Sequence, residues 1–219
     1  LKHQQLKRAL LGGRRVMETA AEAATRQRIW LLSAPSGAGK TTALQNLALR
    51  LRERGERVCG VLCPESGEAG RRMMVLLSSG AEVPLQLNDC RPPADGSGAY
   101  RDVEGSAEDY ADRRVVLVGR FVFAAEAFEA AASELEDGRS AAVSWVMVDE
   151  VGPLEIKRKE GLHAAVKALL SRRRAEGADG AAPRICIVVR PALRDSLLET
   201  YGLTEDEVED VGIDRISNS

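Results

Sequence analysis

Aromatic residues are scarce in this 219-residue chain: Phe, Trp and Tyr together make up 4%. Its core must therefore rely on Val, Leu, Ile and Ala. Histidine occurs twice, as His3 and His163, too few to argue a serine–histidine–acid set. Four cysteines, Cys59, Cys63, Cys90 and Cys186, form no C-x-x-C pair. That spacing argues for isolated thiols rather than a zinc site. No apolar run approaches the ~20 residues that span a membrane. Neither sign of charge dominates, with 31 Lys+Arg against 33 Asp+Glu and a net charge of −2. Such a balance argues against broad nucleic-acid binding. A soluble, cytoplasmic protein with one α/β domain is the expectation.

What is present is an alternation of two periodicities. Short apolar runs at 28–33, 57–63, 71–79, 115–119, 142–150 and 184–189 read as strands. Helical spacing of Leu44, Leu47, Ala48 and Leu51 marks a helix over 41–54, ended by Gly55. Further helices are expected over 124–137 and 158–175, with a short one after Pro191. Alternating strands and amphipathic helices imply a mainly parallel sheet flanked by helices on both faces. Residues 1–27 read as a helical extension, interrupted at Gly12-Gly13, with a basic face that could dock a protein partner. Residues 88–112 are rich in Pro, Gly, Asp and Ser, and read as a mobile surface loop. The acidic segment 204–219 reads as a weakly packed tail beyond a main domain of 28–203.

Two motifs carry chemistry. "SAPSGAGKTTAL" follows a strand and opens a helix, which is the context of a phosphate-binding loop of pattern G-x-x-x-x-G-K-[ST]. Ala34 stands where the first glycine is usual. Alanine is tolerable there if the position needs no positive φ. The loop residues Ala34, Pro35, Ser36, Gly37, Ala38, Gly39, Lys40, Thr41 and Thr42 would wrap a triphosphate with backbone N–H groups at a helix N-terminus. Lys40 would reach the β- and γ-phosphates, and the Thr41 hydroxyl would coordinate Mg²⁺. The second motif, "WVMVDEVGP", ends a strand in two acids. Asp149 would hold the Mg²⁺ and Glu150 would orient or deprotonate an attacking water. Ligands of such sheets bind beyond the carboxyl ends of the strands, where both motifs lie.

Several segments in order resemble the THEP-type P-loop nucleoside-triphosphatases. They are "SGAGKTTAL", "GVLCPESGEAGRRMMVL", "VGRFVF" and "VDEVGPLEI", within about residues 28–190. The most specific is the last, because Gly152, Pro153 and Glu155 continue it beyond a generic acidic strand end. The resemblance implies a RecA-like α/β fold and slow, Mg²⁺-dependent hydrolysis of several nucleoside triphosphates, ATP or GTP among them. Cys63 replaces the family's threonine, and Gly67 stands where an arginine is typical. Arg72 is the first candidate to supply the missing positive charge, and Arg120 the second. Glu65 and Glu155 are expected to fix loop geometry or to take part directly.

Two other functions fit the same fold. A small-molecule kinase would use the 88–112 segment as an acceptor lid. A nucleotide-regulated binding module would retain binding and lose hydrolysis. His163 reads as a packed helix residue and Trp145 as core. The basic run 171–174 reads as a helix end that complements its dipole.

Overall fold

The computed structural model describes residues 28–66, 71–88, 114–119, 121–138, 142–176 and 182–219. The expected N-terminal extension and almost all of the 88–112 loop lie outside the described residues. Five strands form a parallel core: β1 (Ile29–Ser33), β2 (Val58–Leu62), β8 (Trp145–Val151), β9 (Arg184–Val189) and β10 (Val208–Val211). Two short strands, β3 (Glu65–Ser66) and β4 (Arg71–Leu76), follow β2, and β5 (Glu82–Pro84) pairs with β4. The order across the sheet is β10-β1-β9-β8-β2-β4-β3. The hairpin β6 (Val115–Val118) and β7 (Phe121–Ala124) stands outside this sheet. It is joined to the main chain at Leu85–Asn88 through bonds such as Leu87 N–H to Val122 O at 2.8 Å.

Strand periodicity divides the core in two. Ile29, Leu31, Cys59, Val61, Val146, Val148, Ile185 and Ile187 point to one face. Trp30, Leu32, Val58, Leu62, Trp145, Met147, Cys186 and Val188 point to the other. The first face is covered by α2 (Ala125–Asp137), α3 (His163–Glu176) and α4 (Arg194–Tyr201), and the second by α1 (Lys40–Glu53) and α5 (Ile213–Asn218). Buried Leu44 and Leu47 of α1 each contribute about 1.5–3 kcal/mol of apolar burial. This is the expected doubly covered, mainly parallel α/β architecture.

The segment 204–219 differs from expectation. It is no weakly packed tail, because β10 pairs in parallel with β1 and Ile216 of α5 is fully buried. Its acids are matched by arginines: Arg194 bonds Glu205 and Asp210, and Arg174 bonds Glu207. The runs at 71–79 and 115–119 form antiparallel pairings rather than parallel strands. Their half-exposed patterns suit sheet edges, not a doubly covered centre. The helix expected over 158–175 starts at His163 instead. A π-helical turn (Leu154–Arg158) precedes it, and left-handed Lys159 and Gly161 separate the two.

Candidate nucleotide site

The register of the sheet lines up the strand ends. Ser33 of β1 pairs with Val189 of β9, and Val61 of β2 pairs with Val148 of β8. The phosphate-type loop after β1, Arg190 after β9, the acids of β8 and Cys63 after β2 therefore share one edge. The ladder between β8 and β9 shifts register between Val148 and Val151. Asp149 and Glu150 sit inside that irregularity, where a bulge re-aims side chains.

The loop adopts the conformation its glycines permit. Gly37 and Gly39 have φ of 77° and 88°. Gly39 precedes α1, so the first amides of that helix have no partners within it. Among the described residues only Lys159 and glycines have positive φ. Ala34 thus has ordinary backbone, and its methyl group imposes no strain. Lys40 is 7% exposed and donates to the carbonyls of Ala34 and Pro35 at 2.8 and 2.7 Å.

The two motifs meet directly. Thr41 Oγ1 donates to Asp149 Oδ2 at 2.6 Å across 108 residues of sequence. The Cys63 amide donates to the same oxygen at 3.3 Å. Asp149 is buried, and burial raises its carboxyl above the usual range against the opposing effect of these two bonds. A hydroxyl beside a carboxylate is a hard oxygen donor set. It fits Mg²⁺, which takes one or two protein oxygens plus substrate phosphates and waters. No cluster of three or more His, Cys, Asp or Glu exists among the described residues to compete for a softer ion.

A cavity of ≈ 520 Å³ adjoins these groups, within the roughly 300–1,000 Å³ of small-molecule sites. Ser36, Gly37, Gly39, Lys40, Thr41, Thr42, Arg72, Asp149 and Glu150 line it. Ala34, Pro35 and Ala38 are not in its lining. The first two instead hold Lys40 through their carbonyls. Arg72 reaches the cavity because β3 and β4 pair Glu65 with Arg72, which puts both side chains on one face. Its guanidinium also lies 5.9 Å from the Phe121 ring centroid, within cation–π range. Arg120 and Gly67 lie outside the described residues.

Glu155 also borders the cavity, yet its carboxylate is engaged. Oε2 accepts from Gly152 N–H at 3.0 Å and Oε1 from Leu162 N–H at 3.3 Å. It holds the turn between β8 and α3 in shape, the first of its two expected roles. Gly161 has a φ of 59°, which favours glycine, and a Cβ there would lie 2.5 Å from Glu155 Oε1, so a larger residue would also have to displace that carboxylate. His163 accepts its packed reading: Nδ1 lies 2.9 Å from Glu155 O, and the ring stacks on Tyr201 at 5.3 Å.

Sequence reasoning missed one prominent cavity residue. Arg190 donates from Nε to Glu150 Oε1 at 2.8 Å. The signal was available, because Arg190 follows a buried strand just as the two motifs do. The apolar wall of Leu85, Val118, Phe123 and Phe128 was also unforeseen. It is assembled by long-range hairpin pairing.

A family model described as NTPase matches residues 29–176. The chain belongs to this NTPase family. Its match with the THEP-type motifs agrees with two curated relatives, both named Nucleoside-triphosphatase THEP1. The protein from Ignicoccus hospitalis is 28% identical over 134 residues, covering 59% of this chain and 63% of the relative. The one from Methanopyrus kandleri is 33% identical over 138 residues, covering 63% and 65%. This NTPase-family chain thus spans just under two thirds of the length of each. The solution structure of a human cancer-related nucleoside triphosphatase has the same fold, with a TM-score of 0.52 at 20% identity, covering 85% of this chain and 88% of that one. No helix among the described residues of this NTPase-family chain is long and apolar enough to cross a membrane.

Proposed function

We propose that this protein is a Mg²⁺-dependent nucleoside-triphosphatase that converts ATP- or GTP-type nucleotides to diphosphate and phosphate. The observation that carries this reading is the 2.6 Å bond between Thr41 and Asp149. It joins a phosphate-binding loop and an acidic strand end into one hard-oxygen site beside a cavity. The names of the two curated relatives support it.

The chain's own groups divide the work. Loop amides and the N-terminus of α1 receive the phosphates. Lys40 exchanges the Ala34 and Pro35 carbonyls for β- and γ-phosphate oxygens. Thr41 and Asp149 would hold Mg²⁺, which supplies charge neutralisation at the β- and γ-oxygens when bound. Glu150 orients a water in line with the γ-phosphorus. The water's oxygen bonds to phosphorus as the bond to the β-γ bridging oxygen breaks. The water proton passes to the Glu150 carboxylate and then to solvent. Lys40 offsets charge that grows on the leaving diphosphate.

A second reading, phosphoryl transfer to a small organic acceptor, is favoured by the apolar wall of Leu85, Val118, Phe123 and Phe128. Water has no need of such a wall. One experiment addresses both readings: phosphate release and diphosphate formation, with and without Mg²⁺, from four nucleoside triphosphates. Under hydrolysis the two products appear in equal amounts and need Mg²⁺. If a set of added nucleosides suppresses phosphate release while diphosphate still forms, transfer replaces hydrolysis. If neither product forms from any nucleotide, both readings fall.

A further inference from the structure

The cavity contains two arginines with different partners. Arg72 acts electrostatically on buried Asp149 and rests near Phe121. Arg190 is bonded to Glu150, the acid assigned to the water. The position of Arg190 follows from topology. Strand β9 lies between β1, which leads into the loop, and β8, which ends in the acids. The residue leaving β9 is therefore placed between the glycine-rich loop and the acids. We propose that Arg190 is the internal arginine of this site: Glu150 holds it in the nucleotide-free protein, and a bound triphosphate draws it onto the γ-phosphoryl oxygens. This rests on the triphosphatase reading.

Three observations carry it. The Arg190–Glu150 pair is half exposed, with side chains 45% and 21% accessible, and such pairs are weak enough to be exchanged. Among the described residues the contact uses only Nε. The guanidinium has five donors, so its terminal nitrogens retain capacity for planar, bidentate recognition of phosphate oxygens. Both partners line the same cavity as Lys40 and Thr41. Transfer of Arg190 to phosphate would also release the Glu150 oxygen that it occupies, just when a water needs an acceptor.

The test compares Arg190→Ala and Arg190→Gln with the unaltered protein. Titration with ADP, and with the non-hydrolysable β,γ-imido analogue of ATP, reads binding independently of turnover. ADP affinity is expected to stay within about twofold, whereas the triphosphate analogue weakens roughly tenfold and ADP with aluminium fluoride roughly 100-fold. Turnover falls roughly 10²–10³-fold with little change in KM. Equal weakening of ADP and the analogue would assign Arg190 a structural role and overturn the proposal. So would unchanged affinity for both together with turnover within about threefold. If the Ala variant does not fold, the Gln variant's ratio of triphosphate to diphosphate affinity decides, and an unchanged ratio overturns the proposal. Absence of phosphate release in the unaltered protein would defeat the triphosphatase reading alone, because the binding ratio still reports on Arg190.

Discussion

Asp149 and Glu134 are equally buried carboxylates, each 4% exposed, in regions with opposite purposes. Glu134 lies on α2 and ties it to β2 and the turn after β4. Its Oε1 accepts from the Gly60 amide at 3.0 Å, the Ser78 amide at 2.7 Å and the Cys59 thiol at 3.2 Å. Its Oε2 accepts from Ser78 Oγ at 2.5 Å. Asp149 accepts two bonds among the described residues, and both fall on Oδ2. Burial alone therefore does not mark a functional carboxylate. A saturated carboxylate is structural, whereas one with unused acceptor capacity at a cavity wall is available for ligand chemistry.

Swapping the two effects is the strongest way to break this contrast. Asp149→Asn is expected to cut Mg²⁺-dependent phosphate release roughly 10²–10³-fold while thermal unfolding stays within a few degrees. Calorimetry beside a phosphate assay measures both, and a large loss of Tm would place Asp149 with the structural group. Glu134→Ala should behave oppositely. It strips partners from the buried Gly60 amide and the partly buried Ser78 amide, at a cost of about 2–4 kcal/mol. Its turnover at low temperature should remain within about threefold of the unaltered protein. Denaturant titration gives the first value, and a normal unfolding midpoint would contradict the reading of Glu134.

A third carboxylate sharpens the scale. Glu207 is partly exposed, and its bond to Arg174 holds its carboxyl down at about 2. Because the folded value is depressed, its stabilisation is complete above the unfolded value of about 4.3 and lost as pH falls towards 2. Glu207→Gln should cost only about 0.5–1 kcal/mol at pH 7, and the difference from the unaltered protein should vanish near pH 2. The smallest effect concerns Cys59. Burial, followed by the nearby Glu134, pushes its thiol up to about 12. Labelling with a thiol reagent at pH 8 should leave Cys59 unmodified in the folded protein and reach it in Glu134→Ala as that variant opens.

Local signals made half of this molecule legible. The loop, Asp149-Glu150 and the parallel strands each declare themselves within a few residues, by spacing or period. Gly60 does not. Its φ of 115° and a Cβ position 2.0 Å from Met147 O arise from close approach of β8 to β2, a contact 87 residues away in sequence. Glu134 has no local signal, because its donors come from two distant elements. The segment 204–219 looked too acidic to pack, because Arg174 and Arg194 neutralise it only after folding. The strand-end position of Arg190 was readable, but its pairing with Glu150 was not, since only the sheet order sets the two side by side.

The most direct test of the proposed site is turnover by Glu150→Gln, measured beside its affinity for a non-hydrolysable triphosphate. The side chain is nearly isosteric and cannot accept the water proton. Binding should persist within a few-fold while phosphate release falls roughly 10²–10⁴-fold. Unchanged turnover in the purified variant would contradict the assignment of Glu150 to the attacking water.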